Sequence, residues 1–215
     1  MSVTADRESA AARRHLRRAD PVIRELIERH GPLDVSRWTR GRPRDPYGAL
    51  LRAIVGQQLS VAAARSIFGR VVLLNRGTSP SPEELLGLRE SDLRSAGLST
   101  AKVAYVRDLA RHVLEGELDL RALRRLEDEA VIERITAVKG LGRWTAEMFL
   151  MFHLRRPDVL PVGDLGLRRA VERAYRKRVP VAPERLRKLA EPWRPYRSTA
   201  VLYLWESLTK APIDS

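Results

Sequence analysis

The sequence predicts an all-α fold, on three observations. Helix start and stop signals recur along most of the chain, and apolar residues return at helical spacing. No run alternates apolar and polar residues between hairpin turns. With 215 residues the chain can build one ordinary domain or two small lobes around a self-sufficient core.

The elements follow in order. In "DPVIRELIERHG" Asp20 is the expected N-cap, Pro21 the first helical residue, Val22, Ile23, Leu26 and Ile27 the apolar face, and Gly31 the stop. "PYGALLRAIVGQQ" is apolar nearly all round, which predicts a buried helix. Ser60 then caps "SVAAARSIFGRVVLL", and "SPEELLGL" opens with the same kind of cap. "STAKVAYVRDLARHVLEG" sets Val103, Val106, Leu109, Ala110, Val113 and Leu114 on one stripe, and "DEAVIERITAVKG" does so with Val131, Ile132 and Ile135. "DLGLRRAVERAYRK", "APERLRKLAEPW" and "YRSTAVLYLWESL" complete roughly ten helices. The Arg- and Pro-rich stretches Arg37–Pro46 and Arg155–Gly163 are the expected seams between lobes.

Lys+Arg number 40 against 27 Asp+Glu, a formal net charge of +13. That excess is the footprint of a polyanion binder, with nucleic acid the first partner to consider, although a solvated arginine-rich face gives the same totals. The chain has no cysteine, which excludes disulfides, iron–sulfur clusters and thiolate zinc sites. His15, His30, His112 and His153 stand far apart and never at i, i+4, so no histidine metal site is expected. The first twenty residues carry arginines but no apolar core of a secretory leader, and no run reaches the roughly 18–20 apolar residues of a membrane span. A soluble, intracellular protein is the expectation.

The chemistry concentrates between Val138 and Gly166. In "AVKGLGRWTA" one helix ends near Val138, Gly140 and Gly142 permit a tight turn, and a second helix starts around Arg143, which makes a helix-hairpin-helix. The N–H groups and dipole at such a helix start hold a phosphate without reading sequence, and Lys139 and Arg143 add charge there. A glycine pair between helices is equally an ordinary connection. Asp164 follows Pro161 and Gly163 and precedes "LGLRRAVERAY", so it caps a helix, a position that also favours an anion. Trp144, Met148, Met151 and Phe152 share a helical stripe that suits a core as well as a pocket.

"VKGLGRWTAEMFL" followed by "DVLPVGDLGLRRAV" resembles the signature of the helix-hairpin-helix (HhH-GPD) superfamily of base-excision DNA glycosylases. "RAIVGQQLSVAAA", "GLSTAKVAYVRDLA" and "WRPYRSTAVLYLW" are similar to the matching blocks of its 3-methyladenine DNA glycosylase II branch, the AlkA/Mag type. The resemblance spans roughly residues 20–208. It implies two helical lobes flanking a DNA-binding cleft, one from residues 1–46 with 159–215 and one from residues 47–158, with the hairpin at about 131–154. It implies a monofunctional enzyme that hydrolyses the N-glycosidic bond of alkylated purines such as 3-methyladenine and 7-methylguanine in base excision repair.

By position the resemblance assigns catalysis to Asp164 and the base pocket to Trp144, Trp205, Met148 and Leu165, the last two standing where a compared family member has tyrosines. Gln58 falls on the residue that wedges into the gap left by the flipped base, with Gln57 and Ser60 supporting its loop. Lys139, Gly140, Gly142, Arg143 and Thr145 fall on the DNA-binding hairpin. A monovalent cation, Na+ or K+, on the main-chain carbonyls of Thr136, Val138 and Leu141 is implied, with no other cofactor. The implied partner is double-stranded DNA containing alkylated bases, with no membrane, for a monomer of the cytoplasm, nucleoid-associated in a bacterium. Two alternatives remain: an architectural DNA binder that uses the hairpin alone, and an endonuclease III-like glycosylase, whose lyase lysine would fall at Trp144 and whose four-cysteine cluster this chain cannot make.

Overall fold

The computed structural model describes residues 3–33, 36–39, 41, 43–176 and 179–209. The protein is all-α, with no strand among the described residues. The helices are α1 (Val3–Ala19), α2 (Pro21–His30), α3 (Ser36–Thr39), α4 (Pro46–Gly56), α5 (Val61–Leu74), α6 (Pro82–Gly87), α7 (Glu90–Ser95), α8 (Thr100–Leu114), α9 (Asp128–Thr136), α10 (Arg143–Phe152), α11 (Leu165–Ala174), α12 (Pro183–Leu189) and α13 (Arg197–Glu206), with 3-10 turns at Ala122–Arg125 and Glu191–Trp193. The chain forms two compact units, residues 1–38 with 155–215 and residues 39–154. Arg40 and Arg42 of the expected first seam lie outside the described residues.

The first unit is organised around a buried carboxylate. Asp20 caps α2 by accepting from the N–H groups of Val22 at 2.8 Å and Ile23 at 3.1 Å, and its second oxygen accepts from the Tyr175 hydroxyl at 2.6 Å and the Trp193 indole at 2.9 Å. Burial, and then the bond to Asp20, push Tyr175 above the ordinary phenol range, so it stays a donor. Trp193, Leu16, Ile23 and Ile27 are fully buried, and the Tyr203 hydroxyl ties α13 to the Gly31 carbonyl that ends α2.

In the second unit α4 buries Tyr47, Leu50, Leu51, Ile54 and Val55, as its all-round apolarity predicts. Ser60, Ser81 and Ser99 cap α5, α6 and α8, and Ser81 with Glu84 closes a full capping box. On α8 Val103, Val106, Leu109 and Ala110 are buried as expected, but Leu114, in the last helical position, is exposed. The same helix buries a residue that the apolar stripe does not predict, Asp108. Two elements have weak sequence signals: α7 has no side-chain cap, and α1 is an arginine-rich helix whose described buried positions are small or few, Ala12 and Leu16.

Candidate functional site

In the first unit the stretch from Arg155 to Gly163 presents Asp164 at the start of α11, and α13 pins that stretch in place. Ser198 accepts the Val159 N–H at 2.9 Å, donates to the Arg156 carbonyl at 2.7 Å, and gives its own N–H to the Pro157 carbonyl. Asp158 accepts from Arg197 Nε at 2.8 Å and from Arg194 at 2.7 Å. Asp164 is therefore delivered by an anchored turn rather than by a loose loop.

Asp164 is the N-cap of α11. Its Oδ1 accepts from the Leu167 N–H and, at 3.0 Å, from the indole Nε1–H of Trp205 on α13. A Cβ on Gly166 would sit 3.0 Å from that oxygen and 3.6 Å from the indole nitrogen, so glycine leaves room for carboxylate and ring to meet. Both donors fix the direction of the carboxylate. Leu165, next to it, is 63% exposed. Asp164, Leu165 and Trp205 thus come together, and Trp205 is more than an aromatic wall, since it orients the carboxylate.

The second unit holds the hairpin. α9 ends at Thr136, the turn runs through Gly140 at φ +83°, and α10 starts after Gly142 with no side-chain cap. The N-terminal end of α10 therefore keeps the anion-holding character of an uncapped helix start. Trp144, 51% exposed, stands in its first turn, with Met148 one turn on and half-buried. The Lys139 side chain is exposed, but its main-chain N–H turns inward and donates to Asp108 Oδ2 at 2.8 Å.

Two of the expected DNA contacts sit differently. Arg143 places its guanidinium in a fork on Glu129, at 2.9 and 2.6 Å, and on Glu147 at 3.1 Å, so it braces α9 against α10; Glu129 is held below the usual carboxylate range by that guanidinium. Thr145 is buried and turns its side chain into the unit. Both follow from helix geometry, since Glu147 lies at i+4 from Arg143 and Thr145 on the inward face with Ala146 and Phe149.

Gln58 is exposed and adopts φ +57°, left-handed for a non-glycine residue, at the tip of the turn between α4 and α5. Gln57 turns the other way and donates to the Gly140 carbonyl at 2.6 Å, and Ser60 caps α5 through Ala63 N–H. Sequence reasoning missed Asp108, Lys102 and Tyr105 on α8, which contact these turns; a charged residue inside an apolar helical stripe was the available signal for the first. Among the described residues no group of three or more His, Cys, Asp or Glu side chains could hold a metal ion, and no helix is long and apolar enough to cross a membrane.

With this geometry in view, residues 51–195 match the model of the HhH-GPD superfamily base excision DNA repair proteins. The chain is 37% identical over 168 residues to DNA-3-methyladenine glycosylase 1 of Schizosaccharomyces pombe, an alignment covering 76% of this chain and 73% of that one. A DNA-3-methyladenine glycosidase from Bacillus halodurans superposes with a TM-score of 0.79 at 40% identity, covering 87% of this chain and 84% of its own. The 3-methyladenine DNA glycosylase of S. pombe in complex with abasic DNA superposes with a TM-score of 0.80 at 33% identity, covering 92% and 96%.

Proposed function

The chain belongs to the HhH-GPD superfamily of base-excision DNA repair proteins, and on that footing we propose that it is a monofunctional DNA glycosylase releasing alkylated purines from double-stranded DNA. The observation that carries this reading is Asp164, a carboxylate capped on α11 and oriented by the Trp205 indole.

Hydrolysis breaks the bond between C1′ and the base nitrogen, whose electron pair leaves with the base. The deoxyribose passes through an oxocarbenium-like state, and a preorganised carboxylate stabilises that cation. Water then adds to C1′ and gives up a proton, for which Asp164 is the acceptor. The products are the free base and an abasic site. A base alkylated at N3 or N7 carries positive charge, so it departs neutral and stacks favourably on indole rings, the role assigned to Trp144 and Trp205. The target nucleotide must first leave the duplex stack, with Gln58 filling the gap.

The uncapped start of α10, with Lys139, takes a phosphate of the backbone. The carbonyls of Thr136, Val138 and Leu141 are neutral oxygen donors that suit a weakly charged cation; Val138 accepts the Leu141 N–H at 3.1 Å and keeps a second lone pair. Na+ or K+ held there would add positive charge beside the phosphate. On this reading the protein acts on double-stranded DNA as a monomer of the cytoplasm, nucleoid-associated in a bacterium.

Two outcomes test this reading. Affinity for undamaged duplex should fall about tenfold or more between about 50 and 200 mM salt, because phosphate contacts release counterions. A titration insensitive to salt would count against the hairpin as a phosphate clamp. On a duplex carrying one 7-methylguanine the product should be an intact abasic site, and borohydride should trap no covalent adduct, since Trp144 stands where a lyase would need an amine. A robust adduct would show lyase chemistry and overturn monofunctional hydrolysis.

A further inference from the structure

One side of α8 grips both DNA-facing turns of the second unit. Lys102, Tyr105 and Asp108 follow one another at three-residue spacing and so line the same side of the helix. The Lys102 ammonium donates to two carbonyls at the end of α4, those of Val55 and Gln57, each at 2.8 Å. The Tyr105 ring lies flush against Gly140, where a Cβ would come within 2.3 Å of the ring carbon Cδ2. Asp108, buried, takes the Lys139 N–H. The Gln57 side chain then closes the circuit by bonding to the Gly140 carbonyl.

None of these groups is what simple packing asks for. The last carbonyls of a helix need partners, and water serves most of them; here an ammonium serves two at once. A buried carboxylate is costly unless its charge is met by donors, and Asp108 is met by a main-chain N–H of the hairpin turn at 2.8 Å and by the Lys139 ammonium at 4.0 Å. Gln58 holds a left-handed backbone conformation that is unfavourable for a non-glycine residue and persists only where its surroundings fix it. Lys102, on the carbonyl of the preceding residue, is such a fixture.

We propose that Lys102, Tyr105 and Asp108 are positioning residues that lock the Gln58 turn and the Lys139–Gly142 turn in one register, so that holding the backbone phosphate and filling the vacated stack occur as a single event. The inference rests on the DNA-glycosylase reading for its substrate, but it concerns insertion into duplex DNA rather than bond cleavage. Its consequence is a defect specific to duplex: a base already unstacked in a single strand needs no filled gap.

The experiment places 2-aminopurine opposite a tetrahydrofuran abasic-site analogue in a duplex and follows the fluorescence rise that unstacking produces when the full-length chain binds at saturating concentration. In parallel, 7-methylguanine release from duplex and from single strand is compared as a ratio. Lys102→Met and Asp108→Ala should each lower the duplex-to-single-strand ratio by about tenfold, as expected for a broken part-buried, charge-assisted hydrogen bond, and should blunt the fluorescence rise. Lys102→Arg and Tyr105→Phe keep the donors and the ring and should stay within about twofold of wild type. The double variant Lys102→Met/Asp108→Ala should lose less than the product of the single losses, because both break one register. Should Asp108→Ala fail to fold, Lys102→Met with its arginine rescue carries the test. Variants that lose duplex and single-strand activity equally, or that keep the wild-type fluorescence rise, overturn the proposal. A wild-type chain that gives the rise but releases no base would instead contradict the glycosylase reading and leave the register proposal standing on the fluorescence arm.

Discussion

Asp164→Asn should fold, bind DNA and release bases about two to three orders of magnitude more slowly than wild type, a loss of about 3–4 kcal/mol in the transition state. Asparagine is about as good an N-cap as aspartate, and its side-chain oxygen can still accept from the Leu167 N–H and the Trp205 indole. Geometry is therefore preserved while the charge facing the oxocarbenium is removed. The loss should be smaller for cationic 7-methylguanine than for a neutral base, whose departure gets no help from its own charge. Circular dichroism and DNA binding establish the fold, and single-turnover release measures the effect. An unfolded variant would make Asp164 chiefly a cap, and a wild-type rate would dismiss it from catalysis. The two other carboxylates of this region are poor substitutes: Glu147 is buried against Arg143, and Asp158 is engaged by Arg194 and Arg197.

The largest stability effect should come from Asp20→Ala. The substitution removes the α2 cap, worth about 1 kcal/mol, and leaves the Tyr175 hydroxyl and the Trp193 indole without their acceptor in the core, at about 1–3 kcal/mol for each stranded group. We expect a total of about 3–7 kcal/mol and a fall in Tm of roughly 10–20 °C. Asp20→Asn, which keeps the cap, should lose less. Thermal melts of the three proteins check this, and a melt of the alanine variant within about 2 °C of wild type would reduce Asp20 to an ordinary cap.

Asp20 also shows where sequence reading stops. Its capping role is written in the next residue, Pro21, and in the apolar face that follows, so α2 was legible from end to end. Its other partners are 155 and 173 residues away, and no local pattern announces them. The serine caps of α5 and α6 were legible for the same local reason, and α8 by its apolar stripe, whereas α7, without a side-chain cap, was not. At the candidate site, Asp164 was readable as a cap and, by resemblance, as the candidate for catalysis, but the Trp205 indole that orients it arrives from α13, 41 residues on. Arg143 reads from its place at the hairpin as a phosphate contact. Arg143 spends its fork on Glu129 and Glu147, one of which stood in plain view at i+4.

The identity of the bases set free tests the central claim most directly. Duplex DNA treated with a methylating agent is incubated with the full chain, and the small molecules released are identified by mass spectrometry, with Asp164→Asn as the control. The wild type should release free 3-methyladenine and 7-methylguanine, and the variant little above the spontaneous background. Tight binding to the methylated duplex with no base released by either protein would contradict the claim.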